Sequence, residues 1–161
     1  MIESRRRSGA HRHDEVWDGD LHMNTAPRKR HQLLEPELAA LLRALARARG
    51  LSVTTGINIG VAHDFRIPDL TLVSDRSDEL WVPTAELVVE ILAPHDESRA
   101  KLPFYAAHGV QEAVIVDQVA HTIEWFRSDG TAFAPVEHSE LLGIAVAAFA
   151  SQIDWPPVSA A

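Results

Sequence analysis

The sequence predicts an α/β or α+β domain, in which helices pack on the faces of a β-sheet. Two observations support this fold class. Residues 28–49 and about 97–108 carry apolar residues at helical spacing. Most of the remaining chain consists of short runs of β-branched and leucyl residues between turn residues, which is typical of strands. The predicted order is helix, several strands, helix, and again several strands.

Length and composition are those of one globular domain. The chain has 161 residues, of which 46% are hydrophobic and 24% are charged. It contains no cysteine, which excludes disulfides, zinc–thiolate sites and thiol chemistry. No apolar run approaches the roughly 18 residues of a membrane span, and no apolar stretch follows the N-terminal arginines as a secretory signal would require. We therefore expect a cytoplasmic protein without a membrane partner.

The chain begins with a polar, arginine-rich segment without periodicity, so we expect a disordered tail over residues 1–13. A single domain over residues 14–157 follows. It opens with a predicted hairpin, because the segments 15–17 and 21–23 flank an Asp-Gly dipeptide that suits a tight turn.

The first predicted helix lies within residues 28–49 and ends at Gly50. Pro36 either begins the regular helix or bends it. Leucines at spacings of three and four form one apolar stripe, which comprises Leu34, Leu38, Leu41, Leu42 and Leu45.

The later elements follow from the same two patterns and from turn residues between them. The tail from Ser139 carries an apolar patch and is expected to end loosely at its two prolines. The predicted elements are an extended region over 51–73, a polar loop over 75–79, a strand over 86–92 ended by Pro94, a helix over about 97–108, and strands over 112–117, 121–127 and 131–136.

Two of the predicted strands each contain a carboxylate inside an apolar run: Asp69 within 66–73 and Glu90 within 87–94. A buried carboxylate is costly unless a cation, a proton or a hydrogen-bond donor compensates it. On neighbouring strands, the two could share a hard cation, and oxygen ligands are those that Mg²⁺ prefers. Lys101 follows 11 positions after Glu90, on a helix that one short loop can fold back against the strand. Such a set suits phosphodiester hydrolysis.

Structural roles explain some of these residues equally well. Asp69 follows a proline and could simply cap a turn at a strand end. Most lysines are solvated, so Lys101 could be a surface residue, whereas Glu90 requires a partner because its run is apolar throughout. His31 either faces the carboxylates or lies on the surface. Tyr105, one turn beyond Lys101, is expected in the core or as a hydrogen-bond support.

The net charge of −8 opposes a broad nucleic-acid-binding face, which normally carries a basic excess. Basic residues are instead local, at 5–7, 28–30 and 43–49. They form either a local basic groove or ordinary solvated helix faces.

Several short motifs occur in an order typical of one protein family. The ordered set spans about residues 15 to 155 and resembles the Uma-type family of putative restriction endonucleases, a branch of the PD-(D/E)xK nuclease superfamily. The motifs are Glu15-Val16-Trp17-Asp18-Gly19, Arg30-His31-Gln32, Pro68-Asp69-Leu70, Val88 to Pro94, Lys101-x-x-x-Tyr105-x-x-x-Gly109-Val110-x-Glu112 and Val116-Asp117.

The resemblance implies a restriction-endonuclease-like core, with a mixed central sheet flanked by helices, and often a homodimer. It implies that Asp69 and Glu90 hold Mg²⁺, with Mn²⁺ as an alternative, and that Lys101 is the catalytic lysine. In the superfamily the lysine usually stands two residues after the glutamate, where this chain has Leu92. Lys101 would therefore act from the following helix.

Together these observations predict a Mg²⁺-dependent endonuclease that hydrolyses phosphodiester bonds in DNA. Asp69 and Glu90 are the expected metal ligands, Lys101 the expected water-orienting and charge-stabilising residue, and His31 an auxiliary group. The main alternative is a catalytically inactive member of the same fold, acting as a homo-oligomeric interaction or nucleic-acid-binding module. A third is a metal-dependent hydrolase of a small phosphorylated substrate.

Overall fold

The computed structural model describes residues 2–24, 26–93 and 97–157. The predicted strand end at Pro94 lies outside the described residues. Within them, the helices are α1 (Ile2–Ser8), α2 (Lys29–Arg47), α3 (Leu102–Ala107) and α4 (Val146–Ala150), with 3-10 helices at Ala10–His13 and Ser98–Lys101.

The strands lie in groups between these helices along the chain. They are β1 (Glu15–Trp17), β2 (Asp20–His22), β3 (Ser52–Thr55), β4 (Asn58–Val61), β5 (Asp64–Arg66), β6 (Leu70–Val73), β7 (Trp81–Val82), β8 (Leu87–Ile91), β9 (Glu112–Asp117), β10 (Thr122–Ser128), β11 (Phe133–Pro135), β12 (His138–Ser139) and β13 (Ile144–Ala145).

In the described part of the chain, six strands form the central sheet in the order β11-β10-β9-β8-β6-β3. The pair β8–β9 is parallel and the other pairs are antiparallel, so the sheet is mixed. A second sheet has the order β2-β1-β5-β4-β7, and β12 pairs with β13. A mixed central sheet with helices against it confirms the predicted fold class.

The central sheet separates two apolar cores. Because side chains alternate along a strand, Leu87, Val89 and Ile91 of β8 pack in the core that α2 covers, whereas Val88 packs with Tyr105 in the other. Glu90 is two residues after Val88, so its side chain lies on the same face of the sheet, towards α3. Because both faces of β8 are covered, the Glu90 carboxylate is buried.

Helix α2 confirms the predicted apolar stripe, and it runs through Pro36. Leu34, Leu38 and Leu42 are buried against the central sheet, while the remaining leucines of the stripe, Leu41 and Leu45, are only partly buried beside them. Burying about three such side chains contributes several kcal/mol, at roughly 1.5–3 kcal/mol each.

The N-terminal hairpin also agrees with the sequence-based prediction. β1 and β2 are antiparallel, and the two turn residues Asp18 and Gly19 have φ of 50° and 92°. Two consecutive positive φ values define the type I′ turn that matches strand twist. A disordered tail was expected over residues 1–13, whereas the described part of this segment contains α1 and the 3-10 helix Ala10–His13, separated by Gly9 with φ of 76°. Arg5 there is hydrogen-bonded to the Asp14 side chain and the Asn24 carbonyl, which ties this segment to the hairpin.

The apolar patch expected after Ser139 packs into the core, and this packing extends through helix α4 towards the two prolines, where a loose end was expected. Leu142, Val146, Phe149 and Ile153 are buried in the core beneath α2, and the Phe149 ring meets Trp125 edge-on at 5.4 Å. Helix α4 has only five residues, too few to produce a helical period in the sequence. None of the helices described is both long and apolar enough to cross a membrane.

Candidate active site

Asp69 and Glu90 lie side by side where strand β6 begins next to β8. The antiparallel register pairs Leu70 with Val89, so one further step along each strand brings Asp69 to Glu90. The Asp69 carboxylate accepts a hydrogen bond of 2.7 Å from the Ile91 backbone N–H, the peptide group that follows Glu90. The structure therefore brings the two carboxylates together. Asp69 also accepts a hydrogen bond from a backbone N–H of β8 that lies beyond the residues paired with β6.

Glu90 is buried, with 3% of its surface exposed, and three groups donate to its carboxylate. The Lys101 ammonium lies 3.1 and 3.0 Å from its two oxygens. The Tyr105 hydroxyl donates to one oxygen at 2.5 Å, and the Ser98 hydroxyl lies 3.5 Å from the other. All three donors come from the 3-10 helix and α3, which fold back over β8. Tyr105 thus serves as the hydrogen-bond support expected for it.

Lys101 ends the 3-10 helix that leads into α3. It is 7% exposed, so it is not a solvated lysine. Its ammonium contacts a second carboxylate, Glu15, at 2.9 Å. Lys101 and Tyr105 are four residues apart and therefore present neighbouring side chains to the same strand.

Glu15 also belongs to the site, although the sequence indicated it only as part of a family motif. It is fully buried. Besides Lys101, the Ile67 backbone N–H donates to its carboxylate at 2.7 Å and the Trp17 indole N–H at 2.9 Å. The sequence did contain one signal, the alternation of side chains along a strand. Glu15 begins the predicted strand of the hairpin and therefore shares its face with Trp17, two residues later.

His31 lies in the first turn of α2 and is 7% exposed. Its Nε2 is 2.9 Å from Asp69 and 3.8 Å from Glu35, one helical turn further along α2. Burial disfavours the imidazolium, yet the hydrogen bond and charge of Asp69 raise the pKa of His31 above its usual value. Burial and the charge of Asp69 also raise the pKa of Glu35, a second site residue that sequence reasoning missed.

The buried groups carry more negative than positive charge. Glu15 and Glu90 share the single ammonium of Lys101, and Asp69 lies beside them. Burial raises the pKa of Glu90 to about 8, because the attraction of Lys101 is partly cancelled by Asp69 and Glu15. The two glutamates outweigh burial for Lys101 and raise its pKa above the usual value. Burial and the negative charge of Glu90 raise the pKa of Tyr105, so its hydroxyl stays protonated and donates.

The donor set suits a hard divalent cation. Asp69 and Glu90 offer carboxylate oxygens, and the surplus negative charge is what a cation would neutralise. Among the described residues, no group of three or more histidine, aspartate or glutamate side chains is arranged to hold a metal. Mg²⁺ is commonly held by one or two carboxylates while it keeps several waters, unlike zinc in a closed protein cage. The pair of carboxylates therefore fits Mg²⁺ or Mn²⁺.

Comparisons with known proteins agree with this fold. A crystal structure of "a putative nuclease belonging to DUF820" from Anabaena variabilis ATCC 29413 superimposes with a TM-score of 0.70, covering 86% of this chain and 90% of that chain. The two are 13% identical in sequence, so this likeness shows the fold alone. No curated protein matches the chain.

A family model matches residues 5–153, which is nearly the whole chain. That family is Uma2, and its description is "Putative restriction endonuclease". The match includes all of the buried carboxylates, the lysine and the histidine described above. The protein belongs to the Uma2 family of restriction-endonuclease-like proteins.

Proposed function

We propose that this protein is a metal-dependent endonuclease that hydrolyses phosphodiester bonds in DNA. One observation carries the proposal: Asp69 and Glu90 adjoin at the edge of two paired strands, with the buried ammonium of Lys101 within 3.1 Å of Glu90. Two hard-cation ligands and a fixed positive charge are the parts that phosphodiester hydrolysis requires. Membership of a nuclease-like family supports the same reaction class.

Each residue has a role that follows from its position. Asp69 and Glu90 would hold Mg²⁺, or Mn²⁺ in its place, and such an ion polarises the phosphate and makes water a better nucleophile near neutral pH. Lys101 is positioned to offset negative charge that develops on the phosphate oxygens, because its burial keeps its charge unscreened by solvent. His31 donates to Asp69 and would fix the orientation of that carboxylate.

A second candidate function rests on a different observation. Both oxygens of Glu90 already accept hydrogen bonds from Lys101, and one also from Tyr105, so the carboxylate is satisfied without a metal. The net charge of −8 also disfavours tight binding to phosphates. The alternative is a catalytically inactive nuclease-fold module that forms homo-oligomers, most simply dimers, or binds nucleic acid.

Cleavage of supercoiled plasmid and of single-stranded DNA with Mg²⁺ or Mn²⁺ separates the two candidates. Wild type is compared with Glu90→Gln and with Glu112→Gln, since Glu112 is another buried glutamate but hydrogen-bonds Trp125 and Ser139 instead. The proposal predicts cleavage by wild type and Glu112→Gln that requires the metal and is lost in Glu90→Gln. Cleavage that survives in Glu90→Gln would indicate a contaminating nuclease. Absence of both cleavage and metal binding by wild type, with a dimer in light scattering, would support the module.

A further inference from the structure

Glu15 is anchored more firmly than the other carboxylates around Lys101. It is fully buried, and two groups besides the lysine hold its two oxygens: the Ile67 backbone N–H at 2.7 Å and the Trp17 indole N–H at 2.9 Å. Neither donor belongs to the helix that carries Lys101. The position of the Glu15 carboxylate is therefore set by the hairpin and by Ile67, the residue that follows strand β5, and not by the lysine.

Trp17 is itself held in a column of stacked groups. One face of its ring lies on His22, with ring centroids 4.1 Å apart, and the Arg66 guanidinium lies 4.2 Å from its ring centroid. The same guanidinium lies 4.0 Å from the ring centroid of Phe104, which is on α3 three residues after Lys101. Arg66 is 5% exposed, so this cation–π contact is shielded from water. The column joins the hairpin that carries Glu15 to the helix that follows Lys101.

Glu90 and Glu15 therefore differ in what they can do. Glu90 takes its hydrogen bonds from the side chains of Lys101, Tyr105 and Ser98, and it lies beside Asp69. A carboxylate that turns to a divalent cation weakens its contact with an ammonium, because cation and ammonium repel each other. Without another countercharge, Lys101 would then be a buried and unpaired cation, which is costly.

We propose that Glu15 is a positioning residue, which keeps the ammonium of Lys101 in the active site when Glu90 gives its carboxylate to a divalent cation. The proposal rests on the function proposed above, because only a cation at Glu90 makes a second countercharge necessary. Lys101 pairs with Glu15 and Glu90 in the metal-free protein, and with Glu15 in the metal-bound protein. The lysine thereby stays charged beside the reacting phosphate.

The ammonium of Lys101 can be observed directly by NMR of the ¹⁵N-labelled protein. The chain has two lysines, and the other, Lys29, is exposed, so its hydrogens exchange rapidly with water. A protected ammonium signal therefore reports Lys101. The variants are Glu15→Gln, Glu90→Gln and the control Glu112→Gln, which removes the charge of another buried glutamate that accepts an indole N–H, at 2.7 Å.

The expected result is a signal that persists in Glu90→Gln and Glu112→Gln and in wild type after addition of Mg²⁺. In Glu15→Gln the signal should disappear when Mg²⁺ is added, because Glu90 is then no longer available to Lys101. Loss of the signal in Glu90→Gln, or in wild type with Mg²⁺, would overturn the proposal. If circular dichroism shows that Glu15→Gln does not fold, the Glu90→Gln spectrum decides alone, because Glu15 is then the carboxylate left at Lys101.

Activity provides the second readout. In Glu15→Gln, kcat for DNA cleavage should fall by about 100-fold, the size typical for loss of one preorganised charge-stabilising group. KM should change by less than about threefold, because Glu15 is buried away from solvent. An unchanged kcat contradicts the role of Glu15. Absence of cleavage by wild type would instead refute the proposed nuclease, and the NMR signal would still show whether Glu15 alone holds the lysine.

Discussion

Replacement of Lys101 by methionine tests the charge arrangement of the site through stability alone. Methionine keeps the length and apolar stem of the side chain but removes the ammonium. Glu15 and Glu90, which are 0% and 3% exposed, would then be two buried carboxylates without a cation. Removing one partner of a buried ion pair typically costs about 3–5 kcal/mol. For a domain of this size that corresponds to a fall in Tm of roughly 10 °C.

The loss should depend on pH in a defined direction. The pKa of Glu90 is raised to about 8, above its ordinary value near 4.5. The protonated carboxyl is thus favoured in the folded state, and this contribution to stability is present below about pH 4.5 and is lost as the pH rises towards 8. Lys101 lowers the pKa of Glu90, so its removal strengthens this pH dependence, and the destabilisation of Lys101→Met should be largest at pH 8 and smaller at pH 5.5.

The assay is urea and thermal unfolding of wild type and variants at both pH values. Glu90→Gln should be at least as stable as wild type at pH 8, because it removes a surplus buried charge and leaves Lys101 with Glu15. Lys29→Met is the matched control, since Lys29 is exposed and surface changes usually stay within about 0.5 kcal/mol. A Tm of Lys101→Met equal to that of Lys29→Met, or an equal loss at both pH values, would show that Lys101 does not compensate the charge of the two buried glutamates.

Three further predictions concern the same residues. His31→Ala should weaken Mn²⁺ binding about 10- to 100-fold, as expected when the partner of a metal-binding carboxylate is removed; calorimetry that shows unchanged affinity would contradict the contact with Asp69. Because the pKa of Glu90 is raised to about 8, a proton competes with the cation, so Mn²⁺ affinity should rise by up to about tenfold per pH unit from pH 6 to 8 and level off above; a flat profile argues against Glu90 as a ligand. Tyr105→Phe removes a buried donor to Glu90 and should cost about 1–3 kcal/mol in urea unfolding at pH 8; a cost near zero means that the hydrogen bond adds nothing net.

The sequence was informative where one local pattern decides the structure. The strand that carries Glu90 could be predicted because an unbroken apolar run between turn residues has few other conformations. The strand predicted over 66–73 is shorter in the structure, since residues 67–69 separate β5 from β6 and Asp69 lies just before β6. That Asp69 and Glu90 lie next to each other could be only a hypothesis, because the register of two strands depends on pairing between distant segments. The contact of Lys101 with Glu90 likewise depends on how the intervening loop folds the helix back.

Glu15 shows why a site residue could not be identified from the sequence. Its strand has three residues, and its inward direction results from pairing of Val16 with Phe65, about fifty positions along the chain. No local pattern predicts that pairing, and alternation alone shows only that Glu15 shares a face with Trp17. The same holds for the C-terminal region, where Phe149 and Leu142 are core residues because of contacts with α2 and β10, although the segment itself is too short for a periodic signal.

Anomalous diffraction from crystals grown with Mn²⁺ tests directly whether Asp69 and Glu90 hold one cation between them. We expect one peak in contact with carboxylate oxygens of both Asp69 and Glu90, at the roughly 2.1 Å distance of hard-cation ligands. Lys101 should then remain paired with Glu15. A peak elsewhere, or no peak at saturating Mn²⁺ with Glu90 still hydrogen-bonded to Lys101, would contradict this expectation and favour the inactive module.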